Sequence, residues 1–175
     1  FWHYLQPHLA ETRAVHHWHY RGHGRSGTPG DPKSMTIEQL ASDLHLLLDS
    51  EDIDDVIVVG HSMGTQVALE AWNQRPDRVR ALVLICGSAG RITKTFRGSD
   101  ALEDIIPVVR EAVRKHRGLA RALWGRVPPK LAYRFAKLSG EVDPATLRSE
   151  DFARYWRHVS VMDPDLFLEM LESAG

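Results

Sequence analysis

Residues 56–64 read VIVVGHSMG, a short apolar run followed at once by a glycine–x–serine–x–glycine turn. An apolar run of this length is typical of a buried strand, and the residues after Gly64 suit a helix. A sharp strand-to-helix turn forces the serine into a strained conformation, and a Cβ on either glycine is expected to crowd it. The stretch therefore predicts a nucleophile elbow that exposes the Ser62 hydroxyl, although the same pattern also occurs by chance in ordinary glycine-rich loops.

Strand and helix patterns alternate on both sides of this turn. The predicted elements are, in order, a helix around residues 2–9, a strand at 14–20, a helix at 36–51, a fully buried strand at 55–59, a helix at 63–74 and a strand at 78–86. Thr36 and Gln39 form a capping box at the start of the third element. Such alternation predicts an α/β fold with a parallel sheet, right-handed crossovers and helices on both faces.

The pattern changes from about residue 100 onward, where helical spacing dominates and no convincing strand is found. Predicted helices lie at residues 105–113, 131–138, 152–162 and 166–171. Five aromatic residues of this region are expected to form its packing core rather than line a substrate pocket: Trp124, Phe135, Tyr155, Trp156 and Phe167. The chain therefore divides into an α/β region at residues 1–99 and a helical region at 100–175.

Composition and charge limit the partners that the chain can have. With 175 residues, 43% hydrophobic, 26% charged and a net charge of −1, the sequence suits one globular domain with an ordinary core. Acidic and basic residues are interspersed, which argues against nucleic acid or an anionic membrane as a partner. The basic cluster around Arg110, Arg114, Lys115 and Arg117 is interpreted as the solvated end of a helix.

No apolar stretch approaches the roughly 18 residues of a membrane span. No signal peptide is seen, but the chain begins without methionine, so the compartment stays open, with the cytoplasm favoured. The single cysteine, Cys86, lies in an apolar run and is expected to be a buried, inert thiol.

These motifs, in this order and spacing, resemble an α/β-hydrolase across essentially all 175 residues. The resemblance rests on the loop at residues 21–26 (RGHGRS), the turn at residues 60–64 (GHSMG) and the helical insertion after the next strand, where the family places its cap. It implies a partial α/β-hydrolase fold, a parallel sheet with flanking helices plus a helical cap. Residues 1–99 then form part of the core and residues 100–175 an incomplete cap.

The resemblance also implies that several parts of the family's domain lie outside this chain. These are an upstream His-Gly loop that donates one oxyanion-hole amide, and the triad acid and histidine, which follow the cap. The chain is then an internal fragment whose sheet lacks a central strand between residues 14–20 and 55–59. We expect such a fragment to be inactive, and to be marginally stable or aggregation-prone because two parallel edges are unpaired.

The activity implied by the resemblance is that of a serine hydrolase without a cofactor. Ser62 is the catalytic nucleophile, the backbone N–H of Met63 belongs to the oxyanion hole, and the substrate is a small-molecule carboxylic ester or related acyl compound. The Met63 side chain is expected to pack beside the turn. A serine at residue 62 argues against the haloalkane dehalogenase and epoxide hydrolase branches, which use aspartate there. Two alternatives stay open, an acyltransferase or perhydrolase and a non-catalytic ligand receptor.

Histidines offer no replacement for the absent base. His61 adjoins Ser62, but neighbouring side chains diverge at a tight turn, so His61 is interpreted as a pocket-wall or packing residue. Strand alternation places His16 on the face opposite His17 and His19, which leaves two histidines together and predicts no zinc site. His19 also stands where the family commonly carries aspartate.

The glycines of the RGHGRS loop have a second interpretation. Gly22, Gly24 and Gly27 match the dinucleotide-binding pattern G-x-G-x-x-G after a predicted strand. A helix must open at the third glycine to bind a pyrophosphate, but residues 28–32 read TPGDP. The sequence therefore predicts no nucleotide cofactor and places the loop beside the pocket floor.

Overall fold

The strand before the serine turn pairs with the next strand along the chain. The structure is a computed structural model, and it describes residues 2–90, 101–138, 142–143 and 145–173. In chain order the described elements are α1 (Leu5–Ala10), a 3-10 helix (Pro32–Ser34), α2 (Ile37–Ser50), β1 (Val56–His61), α3 (Gly64–Gln74), β2 (Val79–Ile85), α4 (Ala101–Lys115), α5 (Arg117–Trp124), α6 (Pro129–Leu138), α7 (Ser149–Ser160) and α8 (Pro164–Ser173). The α/β fold class is confirmed. The predicted boundary between the two regions, at residues 99 and 100, falls at the edge of a segment outside the described residues.

Strands β1 and β2 run parallel, with Val58 opposite Leu82 and Gly60 opposite Leu84. Helix α3 connects them and packs on one face of the pair, and α2 packs on α3. The core between these elements is aliphatic, and its members include Leu40, Leu44, Leu48, Val58, Val67, Ala68, Ala71 and Val79. On the opposite face Ile57 and Val83 remain 43% and 44% exposed. The predictions of a fully buried strand and a sheet covered on both faces are therefore wrong for the described residues, because α2 and α3 lie on the same side.

The predicted strand at residues 14–20 is not formed. A strand exists only where a neighbour supplies ladder hydrogen bonds, and the sheet in the described part of the chain holds β1 and β2 alone. The end of this segment is instead fixed to the following loop, since the Ser26 hydroxyl donates to the His19 carbonyl at 2.8 Å. Side-chain alternation suggested a strand, but the pairing partner decides whether one forms.

Helix α2 begins where the sequence predicts. The Thr36 hydroxyl accepts a hydrogen bond from the backbone N–H of Gln39 at 3.2 Å, which satisfies one of the free donors at the helix start. No hydrogen bond from the Thr36 N–H to the Gln39 side chain is found among the described residues, and the Gln39 amide nitrogen donates to Asp43 at 3.3 Å. One local hydrogen bond is therefore sufficient to set this helix boundary.

Helices α4 to α8 form the second part of the chain, and no strand occurs among its described residues. The predicted helices are confirmed, whereas α5 was not predicted separately from its neighbours. Trp124 packs near Trp156 and Phe167, as expected of core aromatics. Phe135 and Tyr155 are 72% and 40% exposed, so neither belongs to a closed core. None of the described helices is both long enough and apolar enough to cross a bilayer.

Helix α8 joins the helical part to the α/β part. Leu166 and Met170 are buried against Met35, which follows the 3-10 helix. The Ser173 hydroxyl also accepts a hydrogen bond from the backbone N–H of Ile37 at 3.1 Å, at the first turn of α2. These contacts bring α8 beside the serine turn, since Met63 packs against the same cluster.

Candidate active site

Ser62 occupies the sharp turn between the end of β1 and the start of α3, and its φ angle is +55°. A residue with a Cβ seldom adopts this left-handed region, so the surrounding structure must hold it there. The Ser62 N–H donates to the Ile85 carbonyl of β2 at 2.9 Å. The Ser62 carbonyl accepts from the Thr65 N–H at 3.0 Å and from the Thr65 hydroxyl at 2.8 Å. Both peptide groups of the residue are therefore fixed by neighbours.

The side chain of Ser62 projects away from this support. The residue is exposed, and within the described part of the chain its hydroxyl forms no hydrogen bond. The turn thus presents a hydroxyl that a small molecule can approach.

The glycines around the turn differ in how much space they have. A Cβ added to Gly60 would overlap the carbonyl group of Gly64, lying 2.6 Å from its carbon. Among the described residues, a Cβ on Gly64 would meet only the Tyr20 hydroxyl, at 3.4 Å. The expectation that a Cβ on either glycine crowds the turn is therefore wrong for Gly64. The close approach of β1 to the first turn of α3 requires Gly60 alone.

A third glycine at the turn was not identified from the sequence. Gly87 follows β2, and a Cβ there would lie 2.5 Å from the Ser62 carbonyl oxygen and would overlap the Thr65 side chain. The signal in the sequence was a glycine directly after the second predicted apolar strand. The carbonyl of Ile85 in this strand accepts the hydrogen bond from the Ser62 N–H. Only the pairing of β1 with β2 shows that Gly87 supports the same turn.

Met63 lies at the N-cap position of α3 and has two distinct parts. Its side chain packs between the α2–α3 core and the cluster of Met35, Leu166 and Met170, beside the turn as the sequence predicts. Its backbone N–H lies at the start of the helix, and no backbone acceptor takes it within the described residues. Unsatisfied N–H groups and the helix dipole make such a terminus favourable for negative charge.

His61 precedes Ser62 at the end of β1 and is half-buried. Its ring lies edge-on to the Trp2 ring, with 6.5 Å between the ring centroids. Burial lowers the pKa of His61, because it disfavours the charged imidazolium. These contacts agree with a packing or wall position, as the sequence predicts.

The RGHGRS loop is held against α2 by Arg21. Its Nε donates to Asp43 at 2.8 Å, a second guanidinium nitrogen bonds the other oxygen of that carboxylate, and a third contact reaches the Ser34 hydroxyl at 3.1 Å. Tyr20, just before the loop, packs toward Gly64, and burial raises the pKa of its hydroxyl to about 12. Residues 27–31 form no helix, so the loop lacks the helix terminus that a dinucleotide site needs.

Three histidines meet beside this loop. The rings of His17 and His19 lie 5.3 Å apart, on one side as predicted, and His158 from α7 stacks on His19 at 5.9 Å. His158 was not placed here from the sequence, because only tertiary packing brings α7 to this segment. Across the residues that can be described, no group of three or more His, Cys, Asp or Glu is arranged to hold a metal ion. Burial is the main cause that lowers the pKa of His17 and of His19.

Cys86 is exposed, so the expectation of a buried thiol is wrong. Strand β2 ends at Ile85, and the chain turns at Cys86 with a φ angle of +50°. The apolar run suggested burial, but the cysteine falls one residue beyond the strand.

Comparison with known proteins gives a consistent family signal. A family model described as "alpha/beta hydrolase fold" matches residues 1–161. Epoxide hydrolase 2 of Siraitia grosvenorii is 44% identical over 63 residues, which cover 36% of this chain and 20% of that protein. Lipase LipV of Mycobacterium tuberculosis is 42% identical over 84 residues, which cover 48% of this chain and 31% of that protein.

A solved structure of olei00960, a hydrolase from Oleispira antarctica, superposes with a TM-score of 0.70 at 22% identity. The superposition covers 99% of this chain and 59% of that one. The matched part is therefore less than two thirds of each of these proteins.

Proposed function

Because the chain belongs to the α/β-hydrolase fold family, we propose that it is part of a serine hydrolase in which Ser62 attacks the carbonyl carbon of a carboxylic ester or related acyl compound. The observation that carries the proposal is the exposed hydroxyl of Ser62 at a φ angle of +55°, held from both sides by backbone hydrogen bonds. A strained residue at a fixed turn is typical of a functional position. The lipase relative is consistent with an ester substrate.

The proposed reaction begins when Ser62 Oγ bonds to the acyl carbon and its proton passes to a general base. The carbonyl oxygen then carries the negative charge, and we assign the backbone N–H of Met63 to stabilise it at the positive end of α3. Loss of the alcohol leaves an acyl-enzyme. Water then attacks the same carbon, releasing the acid and restoring the Ser62 hydroxyl.

We expect the general base and its carboxylate partner to come from outside these 175 residues. The support is that the Ser62 hydroxyl has no hydrogen-bond partner in the described part of the chain. The 175-residue chain by itself is then inactive. A serine at residue 62 also favours ester over epoxide chemistry, even though an epoxide hydrolase is among the relatives.

A fluorophosphonate probe tests this proposal in the full-length protein. The probe bonds covalently to a serine only when that serine is activated, and mass spectrometry of the digested protein identifies the labelled residue. We expect labelling of Ser62, its loss in Ser62→Ala, and full labelling of a matched variant, Ser50→Ala, whose exposed hydroxyl bonds the Leu47 carbonyl at 2.8 Å. No labelling, or labelling that survives Ser62→Ala, would contradict the proposal.

Product analysis with water, alcohol or peroxide as competing acyl acceptors separates a hydrolase from an acyltransferase or perhydrolase. An acyltransferase or perhydrolase passes the acyl group to an alcohol or to peroxide instead of to water. We expect the free acid to be the main product when water competes with a dilute alcohol. An ester or peracid as the main product would assign the chain to the alternative.

A further inference from the structure

One segment of the chain is strongly cationic, in contrast to the net charge of −1 of the whole. Residues 112–140 contain eight Lys or Arg and no Asp or Glu. The expectation that acidic and basic residues are interspersed, which argued against an anionic membrane as a partner, is therefore wrong for this segment. Among the described residues, Arg117 pairs with Asp165 and Arg121 pairs with Asp163. Arg110, just before the segment, pairs with Glu169 at 3.1 Å. The interpretation of this cluster as a solvated helix end is therefore wrong for Arg110 and Arg117, which bind the helical part together.

Three of the other cations follow a regular pattern on α6. The helix carries three pairs of a cation followed directly by an exposed apolar residue: Lys130 with Leu131, Arg134 with Phe135, and Lys137 with Leu138. The apolar members recur at spacings of four and three residues, so they form one stripe along the helix. Their exposed fractions are 58%, 72% and 82%. We name Leu131, Phe135 and Leu138 the α6 stripe.

The opposite face of α6 is the one that packs inside the protein. Ala132 is buried, and the Tyr133 ring lies 5.3 Å from that of Phe152 on α7. The Tyr133 hydroxyl also donates to the Leu147 carbonyl at 2.9 Å. Helix α6 is therefore fixed by one face while its α6 stripe points away from these contacts. Leu119 and Leu123 on α5 are exposed in the same way, at 61% and 56%.

We propose that the α6 stripe and its three adjacent cations bind the surface of an anionic lipid bilayer. A helix with Phe and Leu on one face and Lys or Arg beside them lies in the interface, with the apolar groups entering the acyl boundary. The long stems of Lys130, Arg134 and Lys137 allow their charges to reach lipid phosphates while lying along the apolar surface. Such a helix lies on a membrane and does not cross it.

The arrangement of charges favours lipid over the other possible occupants. The centre of a protein–protein interface is depleted in charge, whereas every turn of α6 carries a cation beside the α6 stripe. A nucleic acid would use the cations but gains little from exposed Leu and Phe side chains on a helix. Anionic headgroups over acyl chains match both features at once.

Co-sedimentation with vesicles tests the proposal in the full-length protein. We expect binding to phosphatidylglycerol–phosphatidylcholine vesicles, little binding to phosphatidylcholine alone, and weaker binding at high salt. The double variant Leu131→Ser with Phe135→Ser is expected to bind at least about tenfold more weakly, because apolar insertion is lost. Leu46→Ser is the matched control, since Leu46 on α2 is 64% exposed and lies outside α6.

A second set of variants tests the charges separately. Lys130→Gln, Arg134→Gln and Lys137→Gln are each expected to weaken binding roughly fivefold. All these side chains are exposed, and unchanged circular dichroism and thermal midpoints establish that the variants are folded. Ser62→Ala is expected to bind like the wild type, because the proposal does not rest on catalysis.

Three results would overturn the proposal. Wild-type protein that does not bind anionic vesicles shows that another part of the chain or a partner covers the face. Equal weakening by Leu46→Ser shows that any exposed leucine contributes. A wild-type dimer in sedimentation velocity that Phe135→Ser dissociates, without vesicle binding, assigns the face to a second copy of the chain.

Discussion

Replacing Gly60 with alanine should destabilise the protein far more than the same change at Gly64, although the two glycines hold symmetric places in the sequence. The added Cβ at Gly60 would lie 2.6 Å from the Gly64 carbonyl carbon and 2.9 Å from the Thr65 nitrogen. Both are backbone atoms, which no rotamer change can move. Overpacking of a core costs about 1–3 kcal/mol, and this site lies at the upper end, at about 3 kcal/mol, because the strand or the helix must shift.

Gly64→Ala is the matched control for this prediction. In the part of the chain that the structure describes, its Cβ meets only the Tyr20 hydroxyl at 3.4 Å, and Gly64 lies at the start of α3, where its φ angle is not positive. Alanine stabilises a helix interior by up to about 1 kcal/mol relative to glycine, so we expect a change between zero and a small gain. The two variants are then expected to differ by about 3 kcal/mol or more in the free energy of unfolding.

Urea unfolding followed by circular dichroism measures this difference. The free energies should be compared at equal denaturant slope, so that they refer to the same transition. Equal destabilisation by the two variants, or greater destabilisation by Gly64→Ala, would refute the reasoning from backbone contact. A tolerated Gly60→Ala would show that β1 and α3 can separate without loss of the fold.

Two further predictions concern the titratable side chains. Burial is the main cause that lowers the pKa of four histidines, namely His17, His19, His23 and His61. Near and below the ordinary histidine pKa of 6.5, the unfolded chain therefore binds more protons than the folded chain, so the free energy of unfolding should fall as the pH is lowered. A urea midpoint that increases when the pH is lowered from 7 to about 5 would contradict this sign. Cys86 is exposed, so its thiol should react fully with a disulfide reagent in the native protein, and reaction only after unfolding would show that it is buried.

Elements fixed by nearby residues were predicted well. Helix α2 begins at Thr36 because a hydroxyl caps a donor three residues away, and α3 ends at Gln74, before Pro76. The strand–turn–helix around Ser62 was also predicted, since its apolar run and its glycine are adjacent in the chain. These features depend on interactions within a few residues, which the sequence displays directly.

Features that depend on distant partners were not predicted. Residues 14–20 alternate like a strand but lack a neighbour to pair with among the described residues, and Ile57 is exposed because both packing helices lie on the other face. Gly87 supports the serine turn only because β2 lies beside β1, and His158 reaches His19 only because α7 packs there. No local pattern contains this information.

The sequence by itself determined the α/β fold class, the start of α2, the end of α3 and the serine turn between β1 and α3, because each follows from propensity, capping and periodicity within one segment. Tertiary structure alone decided which glycines the turn requires, which sheet face is covered and which side of α6 points outward. The physical reason is that burial and close approach are properties of two surfaces that meet. A single segment carries only one of those surfaces.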